Sequence, residues 1–137
     1  METKCPPKII FFMWCAITGK VPTWDILQKR SINGPGWCVL CKRAGENIAH
    51  LFIECSYAAE VWRACSLLLG QELRWEGESV GFAWDLWWRR TPQKKLKNLP
   101  LLVIWGIWFA RNKAIFQDTK PSGSHQYYGC GFFQCLP

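Results

Sequence analysis

The chain has 137 residues, a length that favours one domain, and half of them are hydrophobic. Seventeen basic against ten acidic residues give a formal net charge of +7, which favours a polyanionic partner such as nucleic acid, although solubility alone could explain this surplus. The apolar runs 9–17 and 99–110 are shorter than the about 20 residues that a membrane-spanning helix needs. We therefore expect no membrane partner.

The apolar run 9–17 follows Lys4 and Lys8 and has the length of a signal-peptide core. Glu2, the Pro6–Pro7 pair and the lack of a small-x-small cleavage site argue against secretion. Seven of the eight cysteines lie in apolar helices, the tail or one tight cluster, which favours a reducing compartment. We expect an intracellular protein, nuclear or cytoplasmic and not secreted. The alternative, a small secreted disulfide protein, would change mass on reduction.

Two helices are predicted before the cysteine cluster. Prolines tolerate the first turn of a helix, so Pro6–Pro7 predicts a helix from about Pro7 to Thr18 that stops at Gly19. It is apolar nearly all round, which predicts a central position. Thr23 is a candidate N-cap for a short second helix. The two together predict a helical hairpin that leads into the cluster.

Four residues with metal-ligand chemistry follow, with the spacing Cys-x2-Cys-x8-His-x4-Cys: Cys38, Cys41, His50 and Cys55. Thiolates and a neutral imidazole suit Zn²⁺ in a tetrahedral arrangement. Four protein ligands leave no position for water, so the pattern predicts one structural zinc ion. The alternative is a set of buried free cysteines packed as small hydrophobic residues.

Capping residues divide the next part of the chain. We expect a helical turn over 49–54, followed by a helix that Ser56 caps and Gly70 ends. Trp62 belongs to its apolar stripe and is predicted to lie in the core. Ser79 is a candidate cap for a further helix, which continues through Trp87.

Five basic residues occur in the nine-residue stretch 89–97, directly after Trp87 and Trp88. Basic residues beside aromatic rings can bind a single strand by charge and stacking. The alternative is a solvated linker between helices. The residues that we expect to contact nucleic acid are Lys42, Arg43, Arg89, Arg90, Lys94, Lys95 and Lys97.

A last helix is predicted from Lys94 or Pro100 to Phe116. Its apolar stripe includes Trp105 and Trp108, which we expect in the core, and Arg111 is predicted to point away from that stripe.

We divide the chain into a domain over 1–118 and a disordered tail over 119–137. In the tail, His125, Cys130 and Cys135 match no zinc spacing. No useful alternation of apolar and polar residues occurs. The predicted fold is therefore mainly α: a small helical domain stapled by one structural zinc site, with no substantial sheet.

Four segments resemble the zinc-binding domain of reverse transcriptases from plant non-LTR retrotransposons. They are P-P-K-I-I-F-F-M-W at 6–14, G-K-V-P-T at 19–23, C-V-L-C…H-L-F-I-E-C…A-E-V-W at 38–62, and I-W-G-I-W-F-A-R-N-K-A-I-F at 104–116. The resemblance covers about residues 4–118. It implies zinc binding by Cys38, Cys41, His50 and Cys55, the same ligand set that the spacing gives.

The resemblance also implies a function. Such a domain follows the polymerase in a polyprotein that is an RNA-directed DNA polymerase, and often precedes a ribonuclease H domain. We expect a non-catalytic zinc-binding module that contributes to RNA or DNA binding through a basic surface. The alternatives are a protein-interaction scaffold between the polymerase and ribonuclease H domains, or a retrotransposon remnant without independent function.

Catalysis by this chain itself is not expected. Polymerase chemistry needs clustered carboxylates that hold two metal ions, whereas Asp25, Asp85 and Asp118 are isolated in sequence. The chain has no glycine-rich phosphate loop, and no small-molecule substrate is expected.

Overall fold

The computed structural model describes residues 5–116, and the predictions for 119–137 lie outside this range. The described part is mainly helical, which confirms the predicted fold class. Its elements are α1 (Pro7–Ile17), α2 (Trp24–Lys29), a π-helical turn (His50–Glu54, the π-turn), α3 (Ser56–Leu69), α4 (Val80–Arg90), α5 (Lys94–Lys97) and α6 (Leu99–Phe116). Within residues 5–116 no strand forms, and one isolated antiparallel bridge joins Trp37 to Gly45.

Helix α1 begins and ends as the sequence predicts, but it is not buried all round. A proline lies in its first turn, and Thr18 follows its last residue. Ile9, Met13 and Ala16 recur at spacings of four and three and form its buried face. The opposite face carries exposed apolar side chains, among them Phe11 and Trp14, so the predicted central position is correct for one face only.

The capping predictions for α3 and α4 have different outcomes. Ser56 is already the first helical residue of α3, and the extended residue before it is Cys55, so the predicted cap is wrong by one position. Gly70 ends α3 in the left-handed conformation with a φ of 64°, where a side chain would be strained. Ser79 caps α4 as predicted, because its Oγ accepts a hydrogen bond of 3.1 Å from the Phe82 N–H.

One hydrophobic core joins α1 to the C-terminal helix α6. Ile104 and Ile107 of α6 are fully buried, and α6 packs along α1. Trp62, Trp75 and Trp87 form an aromatic cluster in this core, with ring centroids 5.2–6.5 Å apart. The predicted core position of Trp62 is confirmed. None of the helices within 5–116 combines the length and the hydropathy that crossing a bilayer requires.

Candidate metal centre

A tight turn carries the first two cysteines of the cluster. The Cys38 N–H donates to the Ala44 carbonyl at 2.8 Å, and the Lys42 N–H donates to the Cys38 carbonyl at 2.8 Å. Lys42 adopts a left-handed conformation with a φ of 59°, which lets the chain reverse directly after Cys41. The turn therefore holds the two thiols on the same side of the loop, which we call the metal loop (residues 36–46).

The π-turn supplies the other two candidate ligands. The Asn47 side-chain carbonyl accepts a hydrogen bond of 2.7 Å from the His50 N–H and fixes the start of the turn. The Cys55 N–H donates to the His50 carbonyl at 2.7 Å, which is the bond across five residues that defines this wider turn. His50 and Cys55 thus lie at the two ends of one hydrogen-bonded ring.

The structure brings the four predicted ligands together. Their donor atoms all lie within 4.8 Å of one another. The Cys38 and Cys55 Sγ atoms are 3.7 Å apart, and the Cys41 Sγ lies 3.3 Å from the His50 Nε2. Tetrahedral Zn²⁺ bond lengths give about 3.8 Å between two sulfurs and about 3.6 Å between sulfur and nitrogen. The donor types and these two separations fit a zinc ion.

Electrostatics in the cluster favour a partly ionised set of thiols. The hydrogen bond from the Cys55 thiol, aided by backbone N–H groups, lowers the pKa of Cys38 to about 5. Donation of that same hydrogen bond, together with burial, raises the pKa of Cys55. Two adjacent sulfurs therefore hold one negative charge between them, and a bound divalent cation would let both ionise. The Arg43 N–H also donates to the Cys41 sulfur at 3.5 Å.

A buried ion pair joins the end of the metal loop to α6, and sequence reasoning missed it. The Glu46 carboxylate accepts hydrogen bonds from Arg111 at 2.7 and 3.0 Å and from the Trp24 N–H at 2.8 Å. The side chains of Glu46 and Arg111 are 0% and 5% exposed. The guanidinium also contacts the rings of Trp24 and Trp108, with its carbon 5.3 and 4.7 Å from their centroids. We call this ion pair the Glu46–Arg111 latch.

The latch corrects the prediction that Arg111 points away from the apolar stripe of α6. A guanidinium can enter the core there because both carboxylate oxygens of Glu46 accept its hydrogen bonds and two aromatic faces cover it. The only sequence signal was an arginine within an apolar helix, and nothing local connects it to a glutamate 65 positions earlier.

A comparison with protein families gives the same assignment for the first part of the chain. Residues 1–62 match the family described as zinc-binding in reverse transcriptase. The match covers less than half of the chain. The predicted resemblance is therefore confirmed over these residues, which include the four candidate ligands and Glu46. The matched family is a zinc-binding one and not a catalytic reverse-transcriptase domain. No curated protein and no solved structure matches the chain.

The matched segment packs against helices that follow it. The match ends at Trp62, within α3, whereas the shared core continues into α6. Through the latch, Arg111 of α6 contacts the metal loop inside the matched segment.

The seven predicted nucleic-acid residues fall into two groups. Lys42 and Arg43 are exposed on the metal loop. The other five lie where α4 ends and α5 follows: Arg89, Arg90, Lys94, Lys95 and Lys97. The stretch 89–97 is therefore mostly helical and not a linker throughout. We call the segment 84–97 the α4–α5 junction.

Proposed function

We propose that this chain is a non-catalytic module of a reverse transcriptase that binds one structural Zn²⁺ through Cys38, Cys41, His50 and Cys55. The observation that carries the proposal is the convergence of three thiols and one imidazole nitrogen within 4.8 Å. Four protein donors complete a tetrahedral site and leave no position for a reacting water. The ion would join the turn of the metal loop to the π-turn and contribute to folding free energy.

The experiment is native mass spectrometry of the full chain under reducing conditions. We expect one zinc per chain in the wild type and loss of that zinc in Cys38→Ser. Cys65→Ala is the matched control, because it removes a buried thiol of α3 that lies outside the cluster. A folded chain without zinc, or equal zinc in Cys38→Ser, would contradict the proposal.

The second part of the proposal is that the module binds RNA or DNA through its basic residues. The net charge of +7 and the exposure of Lys42 and Arg43 beside the candidate metal site support it. Three thiolates and Zn²⁺ carry a net charge of −1, which these two side chains would offset while they contact phosphates. Zinc would act here by fixing the shape of the loop.

Salt dependence tests this electrostatic picture. Fluorescence anisotropy measures the binding of labelled RNA and DNA. The logarithm of the association constant is expected to fall linearly with the logarithm of the salt concentration, with a slope of about 0.7–0.9 per phosphate contacted. The double variant Lys42→Gln/Arg43→Gln should lower that slope, with Lys29→Gln on α2 as the control. An affinity that does not change with salt would exclude binding through phosphates.

A scaffold role is the second candidate, and the exposed face of α1 favours it. Ile10, Phe11, Trp14 and Ile17 lie on this face and are each at least 40% exposed. A face of this kind fits contact with another domain of a reverse-transcriptase polyprotein. The isolated chain is then expected to self-associate in sedimentation experiments, and Phe11→Ser should reduce the association. A monomeric wild type at high concentration would remove this candidate.

A further inference from the structure

The adjacent tryptophans at the end of α4 face different environments. Trp87 is 3% exposed, and its Nε1 donates a hydrogen bond of 3.0 Å to the Leu96 carbonyl. This bond ties α5 to the last turn of α4. Trp88 is 42% exposed, so only one of the two rings is available to a ligand.

Two side chains hold the Trp88 ring in place. The Trp84 ring contacts it edge to face, with centroids 5.6 Å apart and an interplanar angle of 73°. The Lys97 Nζ lies 4.4 Å from the Trp88 centroid, because the Trp87–Leu96 hydrogen bond brings α5 back beside α4. An exposed indole that contacts a second aromatic ring and has a cation at its face combines the two elements that single-strand binding uses, stacking and charge.

Positive charge surrounds this ring. Lys94 and Lys95 are exposed on α5. Arg89 forms an ion pair with Asp85 at 3.0 Å, and the neighbouring Arg90 forms one with a loop glutamate. Because exposed ion pairs of this kind are weak, a phosphate can compete for these guanidinium groups.

We propose that Trp88, supported by Trp84 and flanked by Lys97, is a stacking platform for an unpaired base of single-stranded RNA or DNA. The proposal rests on the nucleic-acid binding proposed above. It adds that the α4–α5 junction binds the single-stranded form. The base stacks on the indole, and the Lys97 ammonium moves from the ring to the adjacent phosphate. A duplex binds less well here because its bases are stacked on each other and their faces are not accessible.

The chain contains a matched control for this platform. Trp14 on α1 is 49% exposed, and the Lys20 Nζ lies 4.7 Å from its centroid, so ring exposure and lysine placement are nearly the same. Its neighbours on the helix face are apolar, and Phe11 stacks on it. The two sites differ in the surrounding charge and in the support of the ring.

The test uses the full chain with zinc, a short labelled single strand as RNA and as DNA, and a duplex of the same sequence. Stacking on one aromatic ring predicts that Trp88→Ala weakens single-strand binding by about 5- to 150-fold. Duplex binding is expected to stay unchanged, and Trp14→Ala should leave both unchanged. Trp88→Phe should restore most of the single-strand affinity, and Lys97→Gln should lower the salt slope by about 0.7.

Several results would overturn the platform. Equal affinity of Trp88→Ala and the wild type for the single strand would do so, as would an equal loss for the duplex or for Trp14→Ala. If Trp88→Ala does not fold by circular dichroism, Trp88→Leu keeps the apolar contact with Trp84 and gives the same readout. A wild type that binds no nucleic acid would overturn the broader proposal together with this one, whereas binding that is insensitive to Trp88 overturns only the platform. Loss of affinity for RNA alone or for DNA alone would identify which single strand is the ligand.

Discussion

The Glu46–Arg111 latch and the Arg89–Asp85 pair join the same chemical groups at similar distances, 2.7 and 3.0 Å. Their surroundings differ. The latch is almost fully buried, whereas the side chains of Arg89 and Asp85 are 73% and 58% exposed. Water and salt weaken the exposed pair, while the latch has little solvent to replace a lost partner. Burial therefore separates a structural ion pair at the metal loop from charges at the α4–α5 junction that remain available to a ligand.

Removal of a candidate metal ligand should give the largest effect, because the proposed zinc ion would contribute directly to the folding free energy. Structural zinc contributes about 10–16 kcal/mol of apparent binding free energy in small zinc-dependent folds. We expect His50→Ala, or chelation of the wild type, to lower the helix content or the melting temperature strongly in circular dichroism. Thermal melting that is unchanged in His50→Ala would show that the latch and the core hold the loop without a metal.

Breaking the latch is expected to have the next largest effect. Arg111→Met leaves the Glu46 carboxylate buried without its cation, which should cost about 3–5 kcal/mol in the free energy of unfolding. Urea denaturation measures this loss, and Lys113→Met on the same helix is the control. The double variant Glu46→Leu/Arg111→Met should lose less than the sum of the single variants, since it buries no lone charge. Strict additivity would mean that the two side chains do not interact.

Loss of the Trp87–Leu96 hydrogen bond should have an intermediate effect, because this bond is buried but neutral. Trp87→Phe keeps an aromatic ring in the core and leaves the Leu96 carbonyl without its donor, at a cost of about 1–3 kcal/mol. Chemical denaturation measures the cost, and Trp105→Phe on α6 is the control, because its ring is less buried and lies outside the α4–α5 junction. If α5 depends on this bond, single-strand affinity should also fall. A stability equal to that of the wild type would mean that the bond does not hold the junction together.

Local sequence signals predict the parts of this fold that local chemistry determines. Proline in the first turn of α1, Gly70 after α3 and Ser79 before α4 each mark a helix end through the backbone conformation or hydrogen bond that they provide. The candidate ligand set follows from the spacing of Cys38 and Cys41 and from the nearby histidine and cysteine, and the structure brings these side chains together. Their role as zinc ligands stays a prediction.

The remaining features depend on tertiary contacts that spacing does not encode. Glu46 and Arg111 meet across 65 positions only when α6 packs beside the metal loop. Trp87 and Trp88 are adjacent in sequence, but successive helical residues point about 100° apart, so one enters the core and the other stays at the surface. Both tryptophans directly precede the same basic stretch, so their position in the sequence does not distinguish the buried ring from the exposed one.

The smallest effect on stability is expected at the exposed pairs of the junction. Arg89→Ala and Arg90→Ala should each change the free energy of unfolding by less than about 1 kcal/mol, because each removes an exposed ion pair. If these guanidinium groups contact phosphates, each variant should also lower the salt slope of nucleic-acid binding by about 0.7–0.9. Denaturation and anisotropy on the same samples separate the two effects. A large loss of stability without a change in the salt slope would mean that Arg89 and Arg90 stabilise the fold, as the latch does. The exposed ion pairs of the junction would then not differ in role from the buried pair at the metal loop.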